Sequence, residues 1–123
     1  MKDQKQLARD FLKLVIADKI DEAYQKYVDM KGKHHNVFFL AGFSELQKAM
    51  KDNGLQFPNK IFEIKNILND NDLVAVHSHL RFKPEDKGMI TIHLFRFKNN
   101  KIIEMWDCGQ IIPEHSPNKD CPF

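Results

Sequence analysis

His93-Leu94-Phe95-Arg96-Phe97-Lys98-Asn99-Asn100-Lys101-Ile102-Ile103-Glu104-Met105-Trp106-Asp107 is the stretch that decides how this chain folds. Two runs rich in β-branched and aromatic residues flank Asn99-Asn100, and Asn tolerates the positive φ that a tight hairpin turn needs. The spacing predicts a β-hairpin, with strands over 89–98 and 102–112. A two-residue turn pairs Phe97 with Ile102, and simple alternation then pairs His93 with Trp106.

Working back from the hairpin, Leu73 to Phe82 is a further predicted strand, closed by the polar loop Lys83 to Gly88. Ile61 to Leu68 is another, ending at the turn signal Asn69-Asp70-Asn71-Asp72. Upstream the period changes. Leu7, Ala8, Phe11, Leu12, Leu14 and Val15 recur at helical spacing, opposite Lys5, Arg9, Asp10 and Lys13. Asp18 is placed as the N-cap of a short second helix carrying Ile20, Ala23, Tyr24 and Tyr27, with Asp21 and Glu22 in its first turn. Val28 to Ala41 has no helical period and reads as irregular chain with a short strand. A third helix starts near Gly42 to Ser44, buries Phe43, Leu46, Ala49 and Met50, and stops at Asn53-Gly54 as a left-handed C-cap. Pro113, Pro117 and Pro122 make 113–123 a tail. Helices followed by an antiparallel meander give an α+β pattern, read as one domain over 1–123.

Composition limits the function. The chain has 123 residues, and 19 basic against 17 acidic residues leave a formal charge of +2. That near balance argues against nucleic acid as a partner, which calls for a clustered basic excess. The N-terminal Met1-Lys2-Asp3-Gln4-Lys5-Gln6 lacks a signal-peptide pattern, and the apolar run from Val37 to Phe43 is too short to span a bilayer. Cys108 and Cys121 do not suggest a disulfide framework. The expectation is a soluble, cytoplasmic protein with no membrane partner. Six His and ten Phe are the unusual counts.

Strand parity assigns those histidines to faces. His77, His79 and Arg81 alternate with Val74, Val76, Ser78, Leu80 and Phe82. On the next strand His93, Phe95 and Phe97 alternate with Ile92, Leu94 and Arg96. A register with an even residue sum joins the Val-Leu-Phe face to the Ile-Leu face. It brings His77, His79, His93 and Trp106 together. Three readings of that face stand open: a ligand pocket with imidazole acid–base groups, a metal site using the His77-Ser78-His79 spacing, or a partly solvated outer face buried in a dimer. No carboxylate falls at an obvious ligand spacing, so no metal is expected. His34 and His115 are read as surface residues.

The hairpin also resembles a signature of the SnoaL-like polyketide cyclases, a branch of the nuclear transport factor 2-like superfamily. That pattern looks like Asp-Ile-Phe-Arg-Val, a Gly-containing turn, Lys-Ile-Val-Glu-His-Trp-Asp and then Gln, here Gln110 after Cys108-Gly109. Asp18 to Ala23, Tyr27, His35-Asn36, Gly42 to Leu46 and Asn71 to Ala75 are similar to other parts of the family pattern. The resemblance implies a cone: a curved sheet around the N-terminal helices, an apolar pocket at one end, and frequent dimerisation. Polyketide cyclases and ketosteroid isomerases share that fold with non-catalytic binders, so fold alone does not set function.

By the same resemblance His93 stands where the isomerases hold a protonated Asp that donates to an oxyanion. Asn36 stands near their general base, which Asn cannot replace, so His35 or His79 is implied as base and His93 as oxyanion donor. Asp107 completes the implied catalytic set, although strict alternation turns it away from His93 unless a bulge intervenes. Tyr27, Asn36, Phe39, His77, Phe95 and Trp106 are the implied ligand-binding wall. The expectation is a cofactor-free, homodimeric protein binding a small carbonyl-bearing molecule, with cyclase- or isomerase-type proton transfer. The alternative is a non-catalytic binding or interaction module with an eroded site.

Overall fold

The helical period at the N-terminus becomes α1 (Gln4–Ile16), and the chain continues as α2 (Ile20–Tyr27), β1 (Val28–His34), α3 (Phe43–Gln56), β2 (Ile61–Asp70), β3 (Leu73–Arg81), β4 (Met89–Lys98) and β5 (Lys101–Ile111). The structure, a computed structural model, describes residues 3–123. Its α+β architecture is the expected one: N-terminal helices against a curved, open sheet. The strand order is β1-β5-β4-β3-β2, with β1 parallel to β5 and the other pairs antiparallel. The expected four-stranded meander thus gains a fifth strand at its edge.

Helix α1 is capped by Asp3, whose side chain accepts the Gln6 N–H at 2.9 Å, and it buries Leu7, Ala8, Phe11 and Leu12. The Phe11 ring, fully buried, meets the Tyr24 and Phe95 rings edge-on, each at 5.7 Å between centroids. Burial of a side chain this size contributes roughly 2–3 kcal/mol. Around it pack Ile20, Ala23, Phe43, Val74, Val76, Phe97, Ile102 and Met105.

Several expectations need correction. Asp18 does not cap α2: it takes φ 60°, while its N–H donates to the Val15 carbonyl and that of Lys19 to the Leu14 carbonyl. Those two bonds close α1 in a Schellman motif, in which Asp tolerates the left-handed position. Gly54 is not a C-cap either, because α3 runs on to Gln56. A Cβ there would overlap the Asp18 carboxylate, so glycine serves the close approach of α3 to the α1–α2 connection. The strand in 28–41 lies over Val28–His34, ahead of the apolar run, and Val37, Phe38 and Leu40 of that run are exposed.

Register brings the larger change. β3 pairs with β4 as Val76↔His93, Ser78↔Thr91 and His79↔Ile90, an odd residue sum. His93 therefore shares the helix-covered face with Val76 and Ser78, whereas His77 and His79 face outward. Both faces of β4 are apolar enough to be buried, so alternation does not choose between them. The aromatic pair Phe95 and Phe97 takes the interior, against Phe11. The Asn99-Asn100 turn forms as expected, with φ of 52° and 63°, and pairs Phe97 with Ile102. Between Arg96 and Phe97 the register then shifts, leaving Ile103 as an extra residue. Beyond this bulge His93 pairs with Asp107, and Trp106 pairs with Leu94.

Gly32 of β1 makes the bulge possible. A Cβ there would overlap the Ile103 carbonyl oxygen and stand 2.8 Å from the Phe43 ring. The β1–β5 register shifts over the same residues, between the Val28↔Ile102 and Lys33↔Glu104 pairs.

Candidate functional site

The bulge turns one side chain around, and chemistry follows from it. Because every residue beyond Ile103 changes face, Asp107 enters the helix-covered side opposite His93. Cross-strand partners place their Cβ atoms about 5 Å apart. The segment after β1 alternates in the same way, with His34 inward, His35 outward and Asn36 inward.

Asn36 reaches Asp107 with its amide: Nδ2 donates to Oδ1 at 3.0 Å and to Oδ2 at 3.1 Å. The amide cannot be turned over, because Asn36 Oδ1 accepts the Phe38 N–H at 2.9 Å. A carboxylate, a carboxamide and an imidazole from three separate segments thus converge. They lie at a cleft of about 320 Å³ walled also by Val37, Phe38, Leu80, Met89, Thr91 and Gly109.

His93 is the unusual member. Its ring stacks on Phe95 at 5.8 Å and meets the Phe62 edge at 6.2 Å. Its Nδ1 is buried, and no described group hydrogen-bonds to it. Burial among apolar rings pushes the imidazole pKa down, with the Asp107 charge acting the other way. The ring is held as neutral imidazole. Deeper in the core, burial raises the Tyr24 phenol and the Asp107 charge adds to the effect, so its hydroxyl stays protonated and donates to Met50 Sδ at 3.2 Å.

The structure does not bring together the four side chains expected on one face. His79 lies on the outer face, its Nε2 donating to the Lys87 carbonyl at 2.7 Å. His77 is bonded to Asn66 at 3.0 Å, and both rings contact Phe123 of the tail, at 5.7 and 4.6 Å. Trp106 is also outward, with His35 stacked on it at 5.0 Å and the Arg96 guanidinium 5.7 Å from its ring. His35 Nε2 binds Glu104 at 2.6 Å, so its ring works at the rim of the cleft. The His35 hydrogen bond, followed by that from Arg96, holds the Glu104 carboxyl below the usual range.

Phe95 is fully buried behind His93 and belongs to the core. Tyr27 packs against the core edge, and Phe39 lines a separate groove along α3. Asn36, His93 and Asp107 are the expected residues that do meet. Thr91 and Met89 were missed, although they lie two and four residues before His93 and so on its face. Nothing local marks Leu80 as a wall residue, because its place depends on the β3–β4 register.

His34 also needs correction: it is buried at 8% exposure, with both ring nitrogens bonded. Among the described residues no group of three or more His, Cys, Asp or Glu side chains converges as a metal site. A larger depression, about 890 Å³, lies under the tail on the outer face, but its imidazole, His79, is already bonded to the chain. Among the described residues no helix is long and apolar enough to cross a membrane.

No protein-family model matches the sequence. No curated protein matches it either. Solved structures do. A SnoaL-like polyketide cyclase from Agrobacterium tumefaciens is 17% identical with a TM-score of 0.73, over 89% of this chain and 93% of that one. A SnoaL-like protein of unknown function from Burkholderia thailandensis is 17% identical with a TM-score of 0.72, over 87% and 93%. A nuclear transport factor 2-like protein of unknown function from Cytophaga hutchinsonii is 7% identical with a TM-score of 0.72, over 89% and 92%. At such identities the likeness establishes the fold, and it is the expected one. This chain has the nuclear transport factor 2-like fold shared by SnoaL-like proteins.

Proposed function

We propose that the cleft binds a small, largely apolar, carbonyl-bearing molecule, and that Asp107 and His93 carry proton transfer on it. Asp107 acts as base toward a proton next to the carbonyl. His93, neutral and with its proton on Nε2, donates to the oxygen as negative charge develops there. Asn36 orients the carboxylate, and Leu80, Met89 and Val37 supply apolar contact. This reading moves the base from His35 or His79 to Asp107, because those two imidazoles are occupied by Glu104 and the Lys87 carbonyl. The cleft volume, about 320 Å³, suits a ligand of one or two rings.

The observation that carries the reading is the His93–Asp107 pair: a carboxylate beside a neutral imidazole, in a cleft with apolar walls. The test is exchange of the α-protons of cyclohexanone and tetralone in deuterium oxide. Asp107→Asn is expected to slow exchange by about a hundredfold or more. His93→Phe slows it by about tenfold or more, and His79→Ala leaves it unchanged. Exchange by Asp107→Asn at the wild-type rate would remove the catalytic reading. Ketone binding without exchange would then support the non-catalytic alternative. The homodimer implied by the resemblance and the cytoplasmic placement expected from the sequence belong to the same proposal. Sedimentation tests the first, with the outer sheet face as the candidate contact surface.

A further inference from the structure

The loop after β1 is anchored at His35, whose N–H donates to the Met105 carbonyl at 2.9 Å and whose ring stacks on Trp106, but the apolar residues beyond it have little packing. Val37 and Phe38 are 87% and 86% exposed, and Leu40 is 73% exposed. Yet this loop carries Asn36, whose amide must sit within hydrogen-bonding distance of Asp107. Something has to fix its path.

His34, the last residue of β1, is placed to do so. Its Nδ1 lies 3.1 Å from the Asn36 backbone N–H, and its Nε2 lies 2.8 Å from the Leu40 carbonyl oxygen. A backbone N–H can only donate and a carbonyl can only accept. The ring must therefore accept at Nδ1 and donate from Nε2, which only the neutral Nε2–H tautomer does. One ring thus ties both ends of the loop, while its face packs 6.5 Å from the Phe43 ring. The tie at Asn36 fixes backbone, and the Asn36 Oδ1 bond to the Phe38 N–H fixes the amide. Nδ2 is left aimed at Asp107.

We infer that His34 is a positioning residue: through its two loop hydrogen bonds it sets the Asn36 amide on the Asp107 carboxylate. It does not line the cleft, so it acts on a ligand only through Asn36 and Asp107. This deepens the proposed function and rests on it for its purpose, but the geometry can be tested without any ligand or turnover.

The experiment reads the Asn36 side-chain amide by proton–nitrogen NMR on the full chain. In the wild type its two protons are expected to be well separated in shift and slow to exchange, and Asp107→Ala, which leaves no side-chain acceptor, supplies the signature of a lost clamp. His34→Phe keeps an aromatic ring against Phe43 and removes both bonds. It is expected to speed Asn36 amide exchange by about tenfold, the effect of one net hydrogen bond. His34→Gln, which retains an acceptor and a donor, restores slow exchange. An Asn36 amide that keeps its wild-type shift and exchange in a folded His34→Phe protein overturns the inference. Should His34→Phe not fold, the wild-type imidazole nitrogen shifts decide: an Nε2–H tautomer upholds the inference and an Nδ1–H tautomer overturns it. A clamp that responds as described in a protein without ketone exchange counts against the proposed function alone.

Discussion

His93 holds an energetic debt that predicts its own behaviour. A buried nitrogen with no partner costs about 1–3 kcal/mol, and His93 Nδ1 is such an atom. Replacing the ring by Phe, between Phe62 and Phe95, should therefore stabilise the fold by about 1 kcal/mol while removing the oxyanion donor. Urea unfolding checks the gain. The sign with pH follows from the lowered pKa: the unfolded chain takes up the proton near 6.5, and the folded protein only at lower pH. Its titration therefore takes nothing further from stability above that value, and stability falls progressively as the pH drops below it. The difference between wild type and His93→Phe should widen between about pH 7.5 and about pH 5.5; an unchanged difference would mean that His93 is not desolvated. Asn36→Ala removes the clamp on Asp107 and is expected to cost about 1 kcal/mol of stability, with slower ketone exchange measured beside it.

At the scale of elements, the site depends on one extra residue in β5. Ile103 has no partner across the ladder, and the register shift it causes carries Asp107 to the His93 side. Gly32 of β1 leaves room for it. Gly32→Ala should lower stability by about 2 kcal/mol or more, since the intruding methyl meets backbone and the Phe43 ring rather than a mobile side-chain end. Thermal unfolding measures this, and a neutral outcome would refute the account of the bulge. The elements themselves were largely legible. Helical spacing from Leu7 to Val15, the β-branched runs and the Asn99-Asn100 turn each mark their structure locally. β1 was not, because Lys31, Gly32 and Lys33 interrupt any alternation, and its pairing is with a distant strand. The bulge was not either: nothing at Ile103 announces it, and the glycine that permits it lies seventy-one positions earlier. The β3–β4 register stayed ambiguous because Ile90, Ile92 and Leu94 are as suitable for a core as Phe95 and Phe97.

At the scale of the whole molecule, the sheet divides its polar aromatic residues between two faces. The helix-covered side keeps His34 and His93, and the outer side keeps His35, His77, His79 and Trp106. The tail reaches across that outer side to place Phe123 on His77 and His79, with the Lys65 ammonium 5.3 Å from its ring. Removing 113–123 should accordingly leave ketone exchange unchanged while altering the His77 and His79 resonances. Strand parity correctly grouped residues within each strand. It could not say which faces of neighbouring strands coincide, and that decided which histidine met the carboxylate. The most direct measurement is a crystal structure with a small phenol, a stable mimic of an enolate, soaked into the protein. Its oxygen is expected within hydrogen-bonding distance of His93 Nε2, beside the Asn36–Asp107 pair, with the ring against Leu80 and Met89. A phenol bound instead beneath the tail at His79, with the His93 cleft empty, would contradict it.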